Sequence, residues 1–298
     1  MLRLAYSTVA CPEWTLEQVV EAAGRFGFSG VELRSEGSGG TAFASEPGLT
    51  DPLKVRRLLQ AEGIELAGLA TGIRFDAPIF PPVLGHVLPS REASVRAGRE
   101  AIALAHAIGA PSVRVYAFET HGRERHASAL KRICERLAKI TDIARNRGVT
   151  VLIENGGSFP GAGDLVEIID RVGSPLLGAC YDLAGAVGAE DEVRAGCAAL
   201  GDRLWAARIR DLRGDHPCPL GEGDLPCHSF VEAVQASSDR WGTEPWMIFS
   251  WDRAWLGDLA PADRVLGEAS RVLHLWAGQE VHRTHPALTS ARRSAAGV

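Results

Sequence analysis

The chain has 298 residues, 46% hydrophobic and 23% charged, which suits one large globular α/β domain or two small ones. Its formal net charge is −5, with 32 basic against 37 acidic residues, so there is no global electrostatic footprint for nucleic acid. Six cysteines (11, 134, 180, 197, 218 and 227) show no C-x-x-C spacing and read as reduced thiols of a cytoplasmic protein. Nothing resembles a signal peptide, and no apolar run approaches a membrane span.

The first strand is read over Leu2–Ser7. Thr15 with Gln18 three residues on forms a capping box, and Leu16, Val19, Val20, Ala23 and Phe26 follow at helical spacing. Strand two is Val31–Arg34. Asp51-Pro52 opens the next helix, closed by Gly63. Strand three is Ile64–Ala70, followed by a long proline-rich loop, Thr71–Pro89, and a helix from Ser90 to Ile108. Strand four is Ser112–Tyr116, and a helix over 127–147 follows. Val149–Ile153 is strand five, Asp164–Val172 a helix, and Leu176–Tyr181 strand six. A helix over 191–200, strand seven at Leu204–Arg210, a loop from Asp211 to Pro226, a further helix, strand eight at Trp246–Ser250 and a last helix, Pro261–Trp276, complete the alternation. About eight β-α units in a chain of this length predict a (β/α)8 TIM barrel. The barrel spans residues 1–277, and 278–298 reads as a flexible tail. A doubly wound sheet is the alternative, but no dinucleotide fingerprint follows strand one.

In such a barrel the site lies at the strand C-termini. Strand five ends in Glu154 and strand six in Asp182. Parallel neighbours joined by a right-handed crossover bring these carboxylates to one rim, where they repel unless a cation or proton intervenes. Side-chain alternation adds Glu32 and Arg34, Arg114 and Tyr116, Arg208 and Arg210, and Ser250. Loops add Trp14, Arg74, His216, Trp251 and Trp255. The tryptophans either pack helices or form a stacking platform. Arg114 and Arg208, if inward, require partners, as a buried network or as a substrate site.

The residues Gly27-Phe28-Ser29-Gly30-Val31-Glu32-Leu33, Val151–Asn155, Cys180-Tyr181-Asp182, Arg208-Ile209-Arg210-Asp211 and Leu220-Gly221-Glu222-Gly223-Asp224 carry a resemblance to the xylose-isomerase-like TIM barrels. These include sugar-phosphate isomerases and epimerases, inosose dehydratases and endonuclease IV, and the resemblance covers residues 1–276. It implies a divalent metal held by a strand-five Glu, a strand-six Asp, a strand-seven His and a strand-eight Glu. Glu154 and Asp182 match, but the last two positions are Arg208 and Ser250, and a second histidine found in some members is Gly185 here. Arginine stays protonated and cannot ligate. The expectation is therefore no cofactor and no metal, with Arg208 supplying the positive charge between Glu154 and Asp182. The alternative is Mn, Mg or Zn at Glu154 and Asp182, with His216 and Glu222 swinging in.

The resulting reading is an isomerase or lyase acting on a small polyhydroxylated or carbonyl substrate. Glu154 is the general base, Asp182 a relay and Arg208 an oxyanion stabiliser. Glu32, Arg34, Arg74, Arg114, Tyr116, Arg210, Ser250 and Trp251 bind substrate, with Arg34, Arg74 and Arg114 set to hold a phosphate or carboxylate. Ser250 cannot be a second base, which argues against two-base epimerisation. A non-catalytic barrel serving as a binding or partner subunit is the second reading. The expected partner is a small molecule, not nucleic acid or membrane, and a homodimer is left open.

Overall fold

The computed structural model describes residues 2–37, 39–77, 92–122 and 124–280. Eight parallel strands close into a barrel: β1 (Arg3–Ser7), β2 (Gly30–Arg34), β3 (Glu65–Arg74), β4 (Ser112–Tyr116), β5 (Thr150–Glu154), β6 (Leu177–Asp182), β7 (Leu204–Ile209) and β10 (Trp246–Phe249). A small hairpin, β8 (Asp211–Arg213) with β9 (His216–Cys218), lies outside the barrel. The helices are α1 (Leu16–Phe26), α2 (Pro52–Glu62), α3 (Ala93–Ile108), α4 (His126–Ala144), α5 (Ala162–Val172), α6 (Leu183–Gly188), α7 (Val193–Leu200), α8 (Cys227–Trp241) and α9 (Ala262–Trp276). The (β/α)8 expectation therefore holds. No helix among the described residues is long and apolar enough to cross a membrane.

Local signals set the boundaries. Thr15 and Gln18 form the expected capping box on α1, and Gly27 ends it in the left-handed conformation at φ 84°. Asp51 accepts from the Leu53 N–H ahead of Pro52, and Gly63 closes α2. Three features differ from the sequence expectation. β3 continues to Arg74, with a register shift against β4 between Ala70 and Arg74. Helix α6 is too short and too rich in Gly and Ala to show periodicity. The loop after β7 contains a hairpin, since Asp211 pairs with Cys218 and Arg213 with His216. The proline-rich stretch 78–91, with the expected start of the third helix at Ser90, and most of the proposed tail, 281–298, lie outside the described residues.

Each barrel strand faces two environments. Val31, Leu33, Val113, Val115, Val151, Ile153, Ala207, Ile209, Met247 and Phe249 join the large apolar layer with the helices. The barrel interior holds a much smaller cluster of Ala5, Ala67, Leu152, Cys180, Ala206, Trp246 and Ile248. Trp246 fills the space left by Gly30, where an added Cβ would stand 2.6 Å from its ring. The Arg3 guanidinium stacks 3.8 Å from the Trp246 ring centroid. Above this apolar floor, toward the strand C-termini, the interior is charged. Overpacking the floor should be costly. Gly30→Val is expected to destabilise the protein by about 1–3 kcal/mol in chemical denaturation, whereas Gly63→Asn, at an exposed helix end, should cost far less.

Candidate active site

The charged layer is built by the register. Ser7 is the Cα partner of Glu32, Tyr116 of Glu154, and Asp182 of Arg208. Four buried side chains close a ring of alternating charge. Arg208 Nη1 donates to Glu32 Oε2 at 2.5 Å, and Arg114 Nε to Glu32 Oε1 at 3.3 Å. Arg114 Nη1 lies 2.7 Å from Glu154 Oε2, and Arg208 Nε 3.4 Å from the same oxygen. All four side chains are 8% exposed or less. Two guanidiniums against two carboxylates leave the ring neutral, the condition under which so many buried charges are tolerated. Arg208 Nη2 also donates to Ser250 Oγ at 2.9 Å, and Arg114 to the Tyr116 hydroxyl.

The charges set the titration of Glu32, Arg114 and Arg208. Burial alone would raise the Glu32 carboxyl, but Arg208 and Arg114 outweigh it and hold it below the usual glutamate range. Arg114 and Arg208 are also desolvated, yet Glu154 and Glu32 respectively lift both above the ordinary arginine value. Burial, and then the neighbouring Glu154 charge, pushes the Cys180 thiol well up. Its Sγ lies 3.7 Å from Glu154 Oε2.

Asp182 belongs to a second unit. Its Oδ1 accepts from the Gly185 N–H at 2.8 Å, which caps α6, and from Arg210 Nη2 at 3.4 Å. Arg210 Nη1 lies 3.6 Å from Asp252. Asp182, then Asp252, raise Arg210 against the opposing effect of burial. Asp182 Oδ2 is buried and has no hydrogen-bond partner. Asn155 ties the strand ends together: its Oδ1 accepts from Asp182 N–H at 2.6 Å, and its Nδ2 donates to the Asp182 and Pro160 carbonyls. A Cβ on Gly185 would stand 2.9 Å from Asn155 Nδ2, so this amide takes the space a side chain at position 185 would need.

A cavity of about 390 Å³ opens above these groups, lined among others by Arg34, Tyr116, Phe118, Glu154, Asp182 and Arg210. Arg114, Arg208, Asp252 and Trp255 also reach it. Phe118 adopts φ 89°, a left-handed conformation that is strained for a bulky residue. It is accommodated by Gly157, where a Cβ would lie 2.5 Å from the Phe118 carbonyl, and by the Ser158 N–H donating to that carbonyl at 2.7 Å.

The expected residues thus divide. Glu154, Asp182, Arg208, Arg34, Arg114, Tyr116 and Arg210 meet at the cavity. Arg208 faces Glu154 but not Asp182, whose cation is Arg210. Glu32 and Ser250 lie beneath as supports of the arginines. Arg74 pairs with Asp76 at 2.7 Å, stacks on Phe118 and lines a neighbouring groove that shares only Arg34 with the cavity. Trp251 is 3% exposed, and its indole N–H donates to the Ala260 carbonyl at 2.8 Å, so it packs the wall. His216 sits in β9, and Glu222 in a loop that Asp211 fastens by accepting from the Gly221, Gly223 and Leu225 N–H groups. Neither lines the cavity. Sequence reasoning missed Asp252, though it lies two residues beyond Ser250, and gave no separate role to Asn155 or Phe118.

The donor set does not fit the implied divalent metal. Glu154 Oε2 is faced by two guanidiniums, and Arg208 stands where a histidine ligand would be. Among the described residues no group of three or more His, Cys, Asp or Glu is arranged to hold a metal ion.

The sequence matches the family described as Xylose isomerase-like TIM barrel over residues 20–256. No curated protein matches the chain. Among solved structures, the chain is similar to D-allulose 3-epimerase from Methylomonas sp. (16% identity, 92% of this chain and 98% of that one, TM-score 0.72). It is similar to an L-ribulose 3-epimerase (17% identity, 99% and 97% covered, TM-score 0.74). It is also similar to the probable 3-DHS dehydratase AsbF from Bacillus anthracis (13% identity, 91% and 98% covered, TM-score 0.72). At these identities the likeness establishes the shared fold.

Removing one member of the charge ring leaves its partners buried and unmatched. Glu32→Gln is expected to cost about 3–5 kcal/mol at neutral pH. Because the folded-state pKa of Glu32 is depressed, its stabilisation is present above the unfolded value of about 4.3 and is lost as pH falls through the folded one. Denaturation measured from pH 7 to 3 should therefore show a shallower acid loss in Glu32→Gln than in wild type.

Proposed function

The chain belongs to the xylose isomerase-like TIM barrel family, and on that footing we propose that it catalyses an isomerase or lyase reaction on a small polyhydroxylated or carbonyl substrate, without a divalent metal. The observation that carries this reading is Asp182 Oδ2, a buried carboxylate oxygen with no partner, on a side chain lining the cavity. A carboxylate oxygen free of hydrogen bonds is able to accept a proton. Glu154 is less suited to that task, because protonating it would leave Arg114 and Arg208 sharing only Glu32. The base role therefore moves from Glu154 to Asp182, and Glu154 keeps the arginines in place.

In this mechanism Asp182 Oδ2 removes a proton from the carbon beside the substrate carbonyl. The bonding electrons move onto the carbonyl oxygen, giving an enediolate. Arg208, whose buried Nε makes no hydrogen bond, and Arg114 oppose that charge electrostatically. Protonated Asp182 then returns its proton to the former carbonyl carbon, while the hydroxyl proton of the first carbon passes to the enediolate oxygen and that hydroxyl becomes the new carbonyl, completing an isomerisation. Alternatively, it gives the proton to a β-hydroxyl that departs as water as the enolate oxygen reforms the carbonyl and a carbon–carbon double bond forms, completing a dehydration. Arg210 and Asn155 hold Asp182 in position. Ser250, which supports Arg208, offers no second base, so a one-base route is favoured.

The non-catalytic alternative draws on the same ring, since its carboxylates are already engaged. Incubation with a panel of ketoses and hydroxy-ketones in D2O separates the two readings, with carbon-bound deuterium followed by NMR. Wild type is expected to exchange at least one substrate proton, and Asp182→Asn to slow that exchange by about 10²–10⁴-fold with its circular dichroism unchanged. No exchange by wild type supports the binding-subunit reading, and undiminished exchange in Asp182→Asn removes Asp182 as the base.

A further inference from the structure

We propose that Arg34 is an oxyanion anchor, so that the substrate carries a carboxylate or phosphate group bound at the β2 side of the cavity. This deepens the reading of the cavity as a substrate site and rests on it. Four arginines reach the cavity, and three are neutralised within the protein. Arg114 and Arg208 are matched by Glu32 and Glu154, and Arg210 by Asp182 and Asp252. Arg34 makes no ion pair among the described residues, and its Nε is a buried donor without a hydrogen-bond partner. Leaving a charged, half-buried guanidinium unmatched is costly unless a ligand completes it.

The surroundings fit a ligand-binding role better than a packing role. The Arg34 backbone N–H donates to Thr8 Oγ1 at 2.8 Å, fixing the end of β2. The guanidinium lies along β3 where Gly72 has no side chain; a Cβ there would stand 3.0 Å from Nη2. The Trp255 ring lies 5.5 Å from the guanidinium carbon and also lines the cavity. Desolvation, then the charge of nearby Arg114, hold Arg34 below the usual arginine range, whereas the three paired arginines are all raised. An arriving oxyanion would reverse that imbalance. A guanidinium fork binds either carboxylate or phosphate in bidentate fashion. Of the three arginines expected to hold such a group, Arg74 is paired to Asp76 and Arg114 to Glu154 and Glu32, which leaves Arg34.

Calorimetric titration of the purified chain with D-gluconate, inorganic phosphate and sorbitol tests this. Wild type is expected to bind at least one of the two anions more tightly than neutral sorbitol, and the stronger of the two identifies the group as carboxylate or phosphate. Arg34→Gln should weaken that anion by about tenfold or more and leave sorbitol unchanged. Arg34→Lys should retain part of the affinity. The anchor is overturned if wild type prefers neither anion over sorbitol, or if Arg34→Gln and Arg34→Lys both bind as wild type does. Asp182→Asn separates this from the proposed chemistry. It should bind the anion no more weakly than wild type while losing proton exchange, so the anchor and the base fail independently.

Discussion

The ring of Glu32, Arg114, Glu154 and Arg208 is the constraint to which the rest of the barrel mouth conforms. Its members come from β2, β4, β5 and β7, so it reaches across the barrel. Two arginines at this depth demand two carboxylates, and two carboxylates at this depth demand two arginines. Glu32 therefore supports the arginines from beneath the cavity, and Ser250 supplies a hydroxyl to Arg208 where a carboxylate would unbalance the ring. Asp182 stands outside the ring and is served by Arg210 and Asn155, which leaves one of its oxygens without a partner.

On the proposed mechanism, this division of charge separates support from chemistry. Burial and mutual pairing suit the ring to support, because each proton gained or lost would unbalance its neighbours. The proposed chemistry falls outside the ring, where pairing is incomplete: at Asp182 Oδ2 and at Arg34. Phe118 and Trp255 give the same cavity apolar walls, and the strain at Phe118 is relieved locally by Gly157 and Ser158. The Gly-Glu-Gly loop after β7 has a different task. Gly223 permits the close approach of the Asp211 carboxylate, and the loop is held as a strut beside the hairpin.

Much of this was legible in the sequence. Alternating β and α patterns marked the barrel, and strand-end alternation brought Glu154, Asp182, Arg114 and Arg208 to one rim. Partner choice was not legible. Spacing places Arg208 opposite Asp182 in the β6–β7 register, but a long guanidinium reaches across the barrel to Glu32 and Glu154, where the buried charge is. Trp251 and Asp252 differ for the same reason: past the end of β10 one side chain turns into the wall and the next enters the cavity. Helix α6 and the β8–β9 hairpin are too short for periodicity; a local cap, Asp182 on the Gly185 N–H, opens α6, and Asp211 fastens the loop that follows the hairpin.

On the proposed reading, guanidinium groups hold the carboxylates of this mouth where a divalent cation would otherwise do so. Elemental analysis by mass spectrometry of protein purified without chelator, then repeated after dialysis against Mn²⁺ or Zn²⁺, tests it most directly. Substoichiometric metal in both preparations is the predicted result. One Mn or Zn per chain, lost on Asp182→Asn, would contradict the account.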